Sequence, residues 1–305
     1  MGSEMCIRDS CIVFPVVSSA LARMKSASTR EISYSIREPE KIIVESTSQN
    51  LEIAPSRREL SREENIRLND EEFNQGRIVL ESYPKGIGIG AHFRCNSQCV
   101  FCRTDEHATF SFDIYRNFFE KKIGNILPKA DYLNLCGFGE LLLMPNIGTF
   151  LDILNKKLPQ VNKVITTNGS PLSTNIVSRL TDSRYAIQVS LHTANSRIHK
   201  LLTKNLDFHQ IINQIQHLVA LRKNRSNPHI TLISVLNTLN IEDLPNLVRL
   251  AADLGVDGIH CNYMLAFNTA HLKMSCFFKQ ELTNEKLDEA CLLYTSPSPR
   301  DLSTS

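Results

Sequence analysis

From about residue 86 onward the chain repeats one pattern: a short apolar run, a small polar or glycine-containing break, then apolar residues at helical spacing. The runs Gly86–His92, Tyr132–Cys136, Lys163–Thr167, Ala186–Leu191, Ile230–Leu236 and Gly258–Tyr263 read as six strands. Between them, Ile114, Phe118, Phe119, Ile123 and Ile126 share one helical face, with Pro128 as the stop. So do Ile147, Phe150, Leu151, Leu154 and Leu158, halted by Pro159; then Ile176, Val177 and Leu180; then Ile211, Ile212, Ile215, Leu218 and Val219. Leu244, Leu247, Val248 and Ala251 mark a last helix, closed by Gly255. Strands that alternate with helices are joined by right-handed crossovers into a parallel sheet. Six such units fall short of the eight that close a TIM barrel. The expected fold is therefore α/β, a partial (β/α)6 TIM-like barrel. In such folds ligands sit at the carboxyl ends of the strands, so the segments just after each strand are where chemistry is expected.

The remaining chain bounds the problem further. At 305 residues it can hold one sizeable domain with extensions. The net charge of +2 gives no reason to expect a nucleic-acid or anionic-membrane partner. No apolar run reaches the roughly 18 residues of a membrane span, and Cys11–Val17 is short and lacks a cleavage site, so a cytoplasmic protein is expected. The opening Gly2–Ser10 (GSEMCIRDS) and the closing Cys291–Asp301 (CLLYTSPSPRD) are compatible with one DNA segment read from its two strands, and that segment resembles a sequencing-library adapter. On this reading residues 1–10 and 291–305 are artefacts bounding a metagenomic fragment. Residues 11–80 are an N-terminal segment without assigned role, including a charged helix within Arg58–Gln75, and 81–290 are the core domain.

Cysteine usage points to a metal. Of nine cysteines, three lie on one short segment after the first strand, Cys95-Asn-Ser-Gln-Cys99-Val-Phe-Cys102. An odd count with such clustering is unlike a secreted disulfide framework. Three thiolates can hold three irons of a cubane, leaving the fourth with an open position as catalysis requires. A zinc site is the alternative, with His92 or His107 as a fourth ligand. Cys136 and Cys261 lie in strands and read as small core residues; the role of Cys276 stays open. His192 and His199 read as local hydrogen-bonding residues, and Arg222–Arg225 as a solvated helix end.

The C-x3-C-x2-C spacing, with aromatic Phe101 before the last cysteine, resembles the signature of the radical S-adenosylmethionine (SAM) superfamily. Later segments add to the likeness in the same order. Gly137-Phe-Gly139-Glu140 after the second strand is similar to the glycine-glutamate motif that receives the SAM ammonium; Phe138 replaces its middle glycine. Thr167-Asn168-Gly169 after the third strand resembles a turn near SAM, Ser190 ends the fourth strand where relatives contact the SAM carboxylate or ribose, and Val235 lies where they line the adenine. The resemblance spans about residues 80–285 and looks most like members with a C-terminal SPASM or Twitch extension. It implies a [4Fe–4S] cluster on Cys95, Cys99 and Cys102, SAM as co-substrate, a 5′-deoxyadenosyl radical that abstracts hydrogen from a peptide, sugar or cofactor precursor, and a flavodoxin or ferredoxin as electron donor. Cys-Val-Phe-Cys, Gly-Phe-Gly-Glu and Ser-Leu-His-Thr-Ala-Asn also resemble the superfamily's RNA adenine methyltransferases. A non-catalytic iron–sulfur or zinc module is the alternative of a different class.

Overall fold

Six strands line up in the order in which the chain makes them, and that order sets which face carries the helices. The computed structural model describes residues 59–295, except 91, 93, 103–123, 136, 138 and 223–226. The first expected helix, Ile114–Ile126, therefore lies almost wholly outside the described residues. The chain divides into two units, Met1–Glu59 and Leu60–Ser305, and the described elements belong to the second.

The sheet order is β1 (Gly86–Gly88), β3 (Tyr132–Asn134), β4 (Asn162–Thr167), β5 (Tyr185–Ser190), β7 (His229–Leu236), β8 (Gly258–Tyr263), and every neighbouring pair is parallel. A separate two-stranded antiparallel ribbon joins β2 (Gln98–Cys99) to β6 (Thr203–Lys204). Because each crossover steps one strand in the same direction, right-handed connections place all the helices on one face. Side chains bear this out. Ile165, Ile187, Val189, Ile230 and Leu232 are buried in one cluster with helix residues. Those come from α2 (Ile147–Lys157), α3 (Thr174–Thr181), α5 (Phe208–Leu221) and α6 (Leu244–Leu254). The alternate positions Thr166, Gln188, Thr231 and His260 share the other, concave face and are half-buried. The sheet is open, with β1 and β8 at its edges. The α/β partial barrel is the observed fold.

Each expected helix from residue 147 onward forms, and Gly255 ends α6 in a left-handed conformation (φ 73°), where a Cβ is disfavoured. Near the N-terminal side, α1 (Arg62–Asn74) starts in a reciprocal cap. Glu64 N–H donates to Ser61 Oγ and Ser61 N–H donates to Glu64 Oε2. Asn65 and Arg62 then fasten α1 to the backbone at Tyr83, Lys129 and Ala130.

Two expectations change on contact with the structure. Arg222 is not a solvated helix end: its guanidinium donates to both carboxylate oxygens of Asp257 at 2.8 and 2.9 Å, and its side chain is only 10% exposed. The pair ties the end of α5 to the turn before β8. The short α4 (Ser196–Leu202) and the C-terminal α7 (Thr269–Met274) and α8 (Gln280–Thr295) carried too little periodicity to be expected. The helix α8 packs on a second cluster with Leu236, Ile241, Leu244, Val248 and Cys276. Cys276 is thus a core residue here, 3% exposed, and α8 runs through Cys291 to Thr295. Among the described residues no helix is long and apolar enough to cross a membrane.

Lys163 is a buried cation in this core. Its Nζ donates to Leu158 O at 2.7 Å and Val161 O at 2.9 Å, satisfying carbonyls where α2 ends, and lies 5.1 Å from the centre of the Tyr185 ring. Lys163→Met keeps the stem but takes the charged donor from two buried carbonyls, of which Leu158 O keeps only the Val161 N–H at 3.3 Å. The expected cost is about 2–4 kcal/mol, seen as a fall in Tm of roughly 5–12 °C by calorimetry. An unchanged Tm would show that those carbonyls find other partners.

Candidate active site

The cysteine loop sits across the carboxyl ends of the strands, held from three directions. From one side it joins β6: Gln98 pairs with Lys204 and Cys99 with Thr203, and Val100 N–H donates to Leu202 O at 2.9 Å. From the second it meets β5: the Phe101 ring packs edge-on against His192, centroids 4.7 Å apart. From the third it meets the turn after β4. Asn168 Nδ2 donates to Asn96 Oδ1 at 2.8 Å, and Asn96 Nδ2 donates to Ser170 Oγ at 2.9 Å. Ser170 closes the ring, its Oγ–H and N–H donating to Asn168 Oδ1 at 2.7 and 3.0 Å.

The three thiols are electrostatic neighbours. Cys95 and Cys99 are half-buried and Cys102 is exposed. Burial pushes the Cys95 thiol up, and pushes Cys99 up to about 11, with Cys102 and Cys95 adding to the effect on Cys99. Left to themselves Cys95 and Cys99 keep their protons, so a bound metal must displace them. Among the described residues no group of three His, Cys, Asp or Glu is close enough to share one metal ion. A cubane does not need that convergence, since each thiolate takes its own iron.

Glu140 organises the ends of β3 and β4 from below. Its side chain is 2% exposed. Oε2 accepts Asn168 N–H at 2.6 Å; Oε1 accepts Thr167 Oγ–H at 2.8 Å and Leu142 N–H at 3.2 Å. Burial raises its carboxyl, and these three donors pull it back. Its own N–H donates to Arg94 O at 2.8 Å, linking it to the strand that leads into the cysteines. Both carboxylate oxygens are thus spent within the protein. Gly137 is where the two strand ends close up: a Cβ there would lie 3.2 Å from Gly90 Cα. Gly139 is half-buried beside Glu140, and Phe138 lies outside the described residues. Gly169 has φ 82°, and its missing Cβ leaves room for Ile211 and Val189 at 3.0 and 3.1 Å.

Ser190 ends β5, half-buried and in register with Ile233, on the face shared by Gln188 and Val235. Val235 spends its N–H on His192 Nδ1 at 3.1 Å. That bond assigns the neutral His192 ring its proton at Nε2. His192 is held further through its carbonyl, which accepts Asn240 Nδ2 at 2.8 Å. Asp243 fixes the next residues, accepting Ala194 N–H at 2.7 Å and the Thr193 hydroxyl. Asn96, Ser97, Asn240 and Asp243 were not singled out from sequence. The Asn240–Asp243 segment at the start of α6 carried an acidic and amide cap pattern that could have flagged it.

His192 gives the site a pH dependence. Burial pulls its ring down to about 3, and His199 adds to the effect. The unfolded ring binds a proton near about 6.5 while the folded one stays neutral. Stability from this group is therefore complete above that pH. It is lost as pH falls towards 3, by up to about 1.4 kcal/mol per pH unit. Urea unfolding of the wild type and of His192→Asn between about pH 4.5 and 6.5 should show the steeper slope in the wild type. Equal slopes would mean that the ring titrates normally.

Comparison with known proteins now bears on the site. A sequence profile described as the Radical SAM superfamily matches residues 92–251, which contain all three cysteines of the loop. The chain belongs to the radical SAM superfamily. A probable GTP 3′,8-cyclase of Methanocaldococcus jannaschii is 26% identical to this radical SAM chain over 177 residues, covering 56% of each. Among solved structures, SuiB of Streptococcus suis bound to S-adenosylmethionine superposes with a TM-score of 0.56 at 16% identity, over 75% of this chain and 52% of SuiB. Native anSMEcpe with bound AdoMet gives 0.51 at 14%, over 68% and 59%. At such identities the structural matches speak for the fold. The radical SAM chain spans between half and three fifths of the length of these proteins. The superfamily implies SAM and a [4Fe–4S] cluster.

Proposed function

We propose that this chain carries out reductive cleavage of SAM at a [4Fe–4S] cluster held by Cys95, Cys99 and Cys102, and that the resulting 5′-deoxyadenosyl radical takes a hydrogen atom from a substrate with an unreactive C–H bond. The observation that carries the reading is the placement of the three thiols on a loop docked at the carboxyl ends of a parallel sheet, with two N–H groups donating to Cys95 Sγ and the Ser97 hydroxyl 3.2 Å from Cys99 Sγ. The donor set fits such a cluster: three cysteines, and hydrogen bonds that suit thiolates. When bound, the cluster supplies the single electron that splits SAM into methionine and the 5′-deoxyadenosyl radical.

The chain's own groups orient and shelter the reactants. Gly137 and Gly139 leave backbone open at the end of β3, where the amino acid portion of SAM is received. Glu140 supports this by fixing the Thr167–Asn168 turn. Ser190 presents a hydroxyl from β5 towards the polar portion of SAM, and Phe101 with His192 forms an apolar wall between the cysteine loop and β5. The concave face below, with Thr166, Gln188, Thr231 and His260, offers hydrogen-bonding groups to a substrate. Thr166 Oγ–H donates to Gln188 Oε1 at 2.9 Å and so aims that amide. The substrate class proposed is a peptide, sugar or cofactor precursor, within the subgroup that carries a C-terminal cysteine-rich extension. A flavodoxin or ferredoxin is the proposed electron donor.

The test is anaerobic reconstitution with iron and sulfide, reduction with dithionite, and chromatography for 5′-deoxyadenosine. Formation that disappears in the Cys95/Cys99/Cys102 triple-alanine variant is the expected result. Zinc without iron in the purified chain would instead favour a metal-binding module.

A further inference from the structure

The turn after β4 and the serine inside the cysteine loop both reach the sulfurs. Asn168 Nδ2 donates to Cys95 Sγ at 3.8 Å, and Ser97 N–H donates to the same sulfur at 3.4 Å. Ser97 Oγ lies 3.2 Å from Cys99 Sγ and 3.1 Å from Lys204 O. Ser97 is 4% exposed, so its hydroxyl is committed to these neighbours. One hydroxyl proton cannot serve both acceptors fully. With a protonated Cys99, the thiol donates to Ser97 Oγ and the hydroxyl donates to Lys204 O. With a thiolate, the sulfur has no proton to give, and the hydroxyl donates to it in a charge-assisted bond.

We propose that Ser97 and Asn168 are positioning residues for the cluster, raising its reduction potential and retaining it through hydrogen bonds to the sulfurs of Cys99 and Cys95. This rests on the radical SAM reading of the triplet. The physical basis is charge. A reduced cluster carries one more negative charge than an oxidised one, and donors to its thiolates stabilise the more negative state. Asn168 is well built for the role. Glu140 holds its N–H, Ser170 holds its Oδ1, and its Nδ2 is left to bridge Asn96 Oδ1 and Cys95 Sγ. The sequence suggested that this turn serves SAM; its side-chain amide serves the cysteine loop.

The experiment is a redox titration of the reconstituted chain without SAM, followed by electron paramagnetic resonance, alongside iron per chain. Ser97→Ala and Asn168→Ala should each make the cluster harder to reduce. At the wild-type midpoint, the ratio of reduced to oxidised cluster should fall several-fold. A tenfold fall corresponds to about 59 mV for one electron. Asn168→Asp keeps the acceptor for Ser170 but cannot donate to sulfur, and should lower the ratio further. Ser97→Thr restores a hydroxyl and should return the midpoint towards wild type, a rescue that a merely structural serine would not show. Loss of iron from both alanine variants, with normal loading of Ser97→Thr, supports the retention role. Fully loaded variants with the wild-type midpoint overturn the proposal while leaving the radical SAM reading intact. A wild-type chain that takes up no iron overturns both.

Discussion

Cys99→Ala should leave the chain without iron and without SAM cleavage. Cys99 is the middle one of the three proposed ligands, and its backbone lies in the β2–β6 ribbon opposite Thr203. The substitution removes the thiolate without disturbing the ribbon, so the loop keeps its place and loses its chemistry. Loss of a partner behind a metal ligand typically costs about 10–100-fold in affinity or activity, and loss of the ligand itself should exceed that. Iron per chain and 5′-deoxyadenosine formation are the measurements, with circular dichroism to confirm the fold. Full iron content and turnover in this variant would refute the assignment of the triplet.

Glu140→Ala should be the most damaging change outside the cysteines. It removes the acceptor for Asn168 N–H, Thr167 Oγ–H and Leu142 N–H together. Three donors, two of them buried, left without this partner should cost about 3–5 kcal/mol, since networks lose more than their pairwise sum. Because Asn168 then loses its anchor, iron loading should fall as well. Glu140→Gln keeps one acceptor oxygen and should fall between. Urea unfolding and iron content separate two roles for this carboxylate. A variant of normal stability and loading, but with lost affinity for SAM, would place Glu140 on the ligand, as its motif suggests. A destabilised variant that loads poorly would place it in the scaffold.

How far the sequence carried these conclusions depends on the range of the interaction. The strands β4, β5 and β7 are rich in apolar and β-branched residues and bounded by turns, and α2, α5 and α6 are periodic over three or more turns; such signals are local and legible. The helix α4, seven residues long, and the two-residue strands β2 and β6 carry no period and exist because of what they touch. The site divides in the same way. The spacing of Cys95, Cys99 and Cys102 is written along the chain, as is Gly137-x-Gly139-Glu140. The bonds from Asn168 to Asn96 and from Glu140 to the Thr167–Asn168 turn join strand ends that become neighbours only in the sheet. Arg222 shows the opposite error: a basic residue at a helix end looked solvated until Asp257, 35 residues later, proved to be beside it.

The ribbon between β2 and β6 also sets a schedule for synthesis. Each strand of the main sheet pairs with the strand made just before it, so the sheet can assemble vectorially as the chain leaves the ribosome. The cysteine loop cannot be completed so early. Ser97 waits for Lys204, 107 residues behind it. At about 5–20 residues per second that is a delay of roughly 5–20 s, during which the three thiols are made but not yet docked. On the proposed reading, iron and sulfide meet a finished loop only after that delay, and a nascent chain stalled before Thr203 should present its cysteines to oxidants and to the wrong metals.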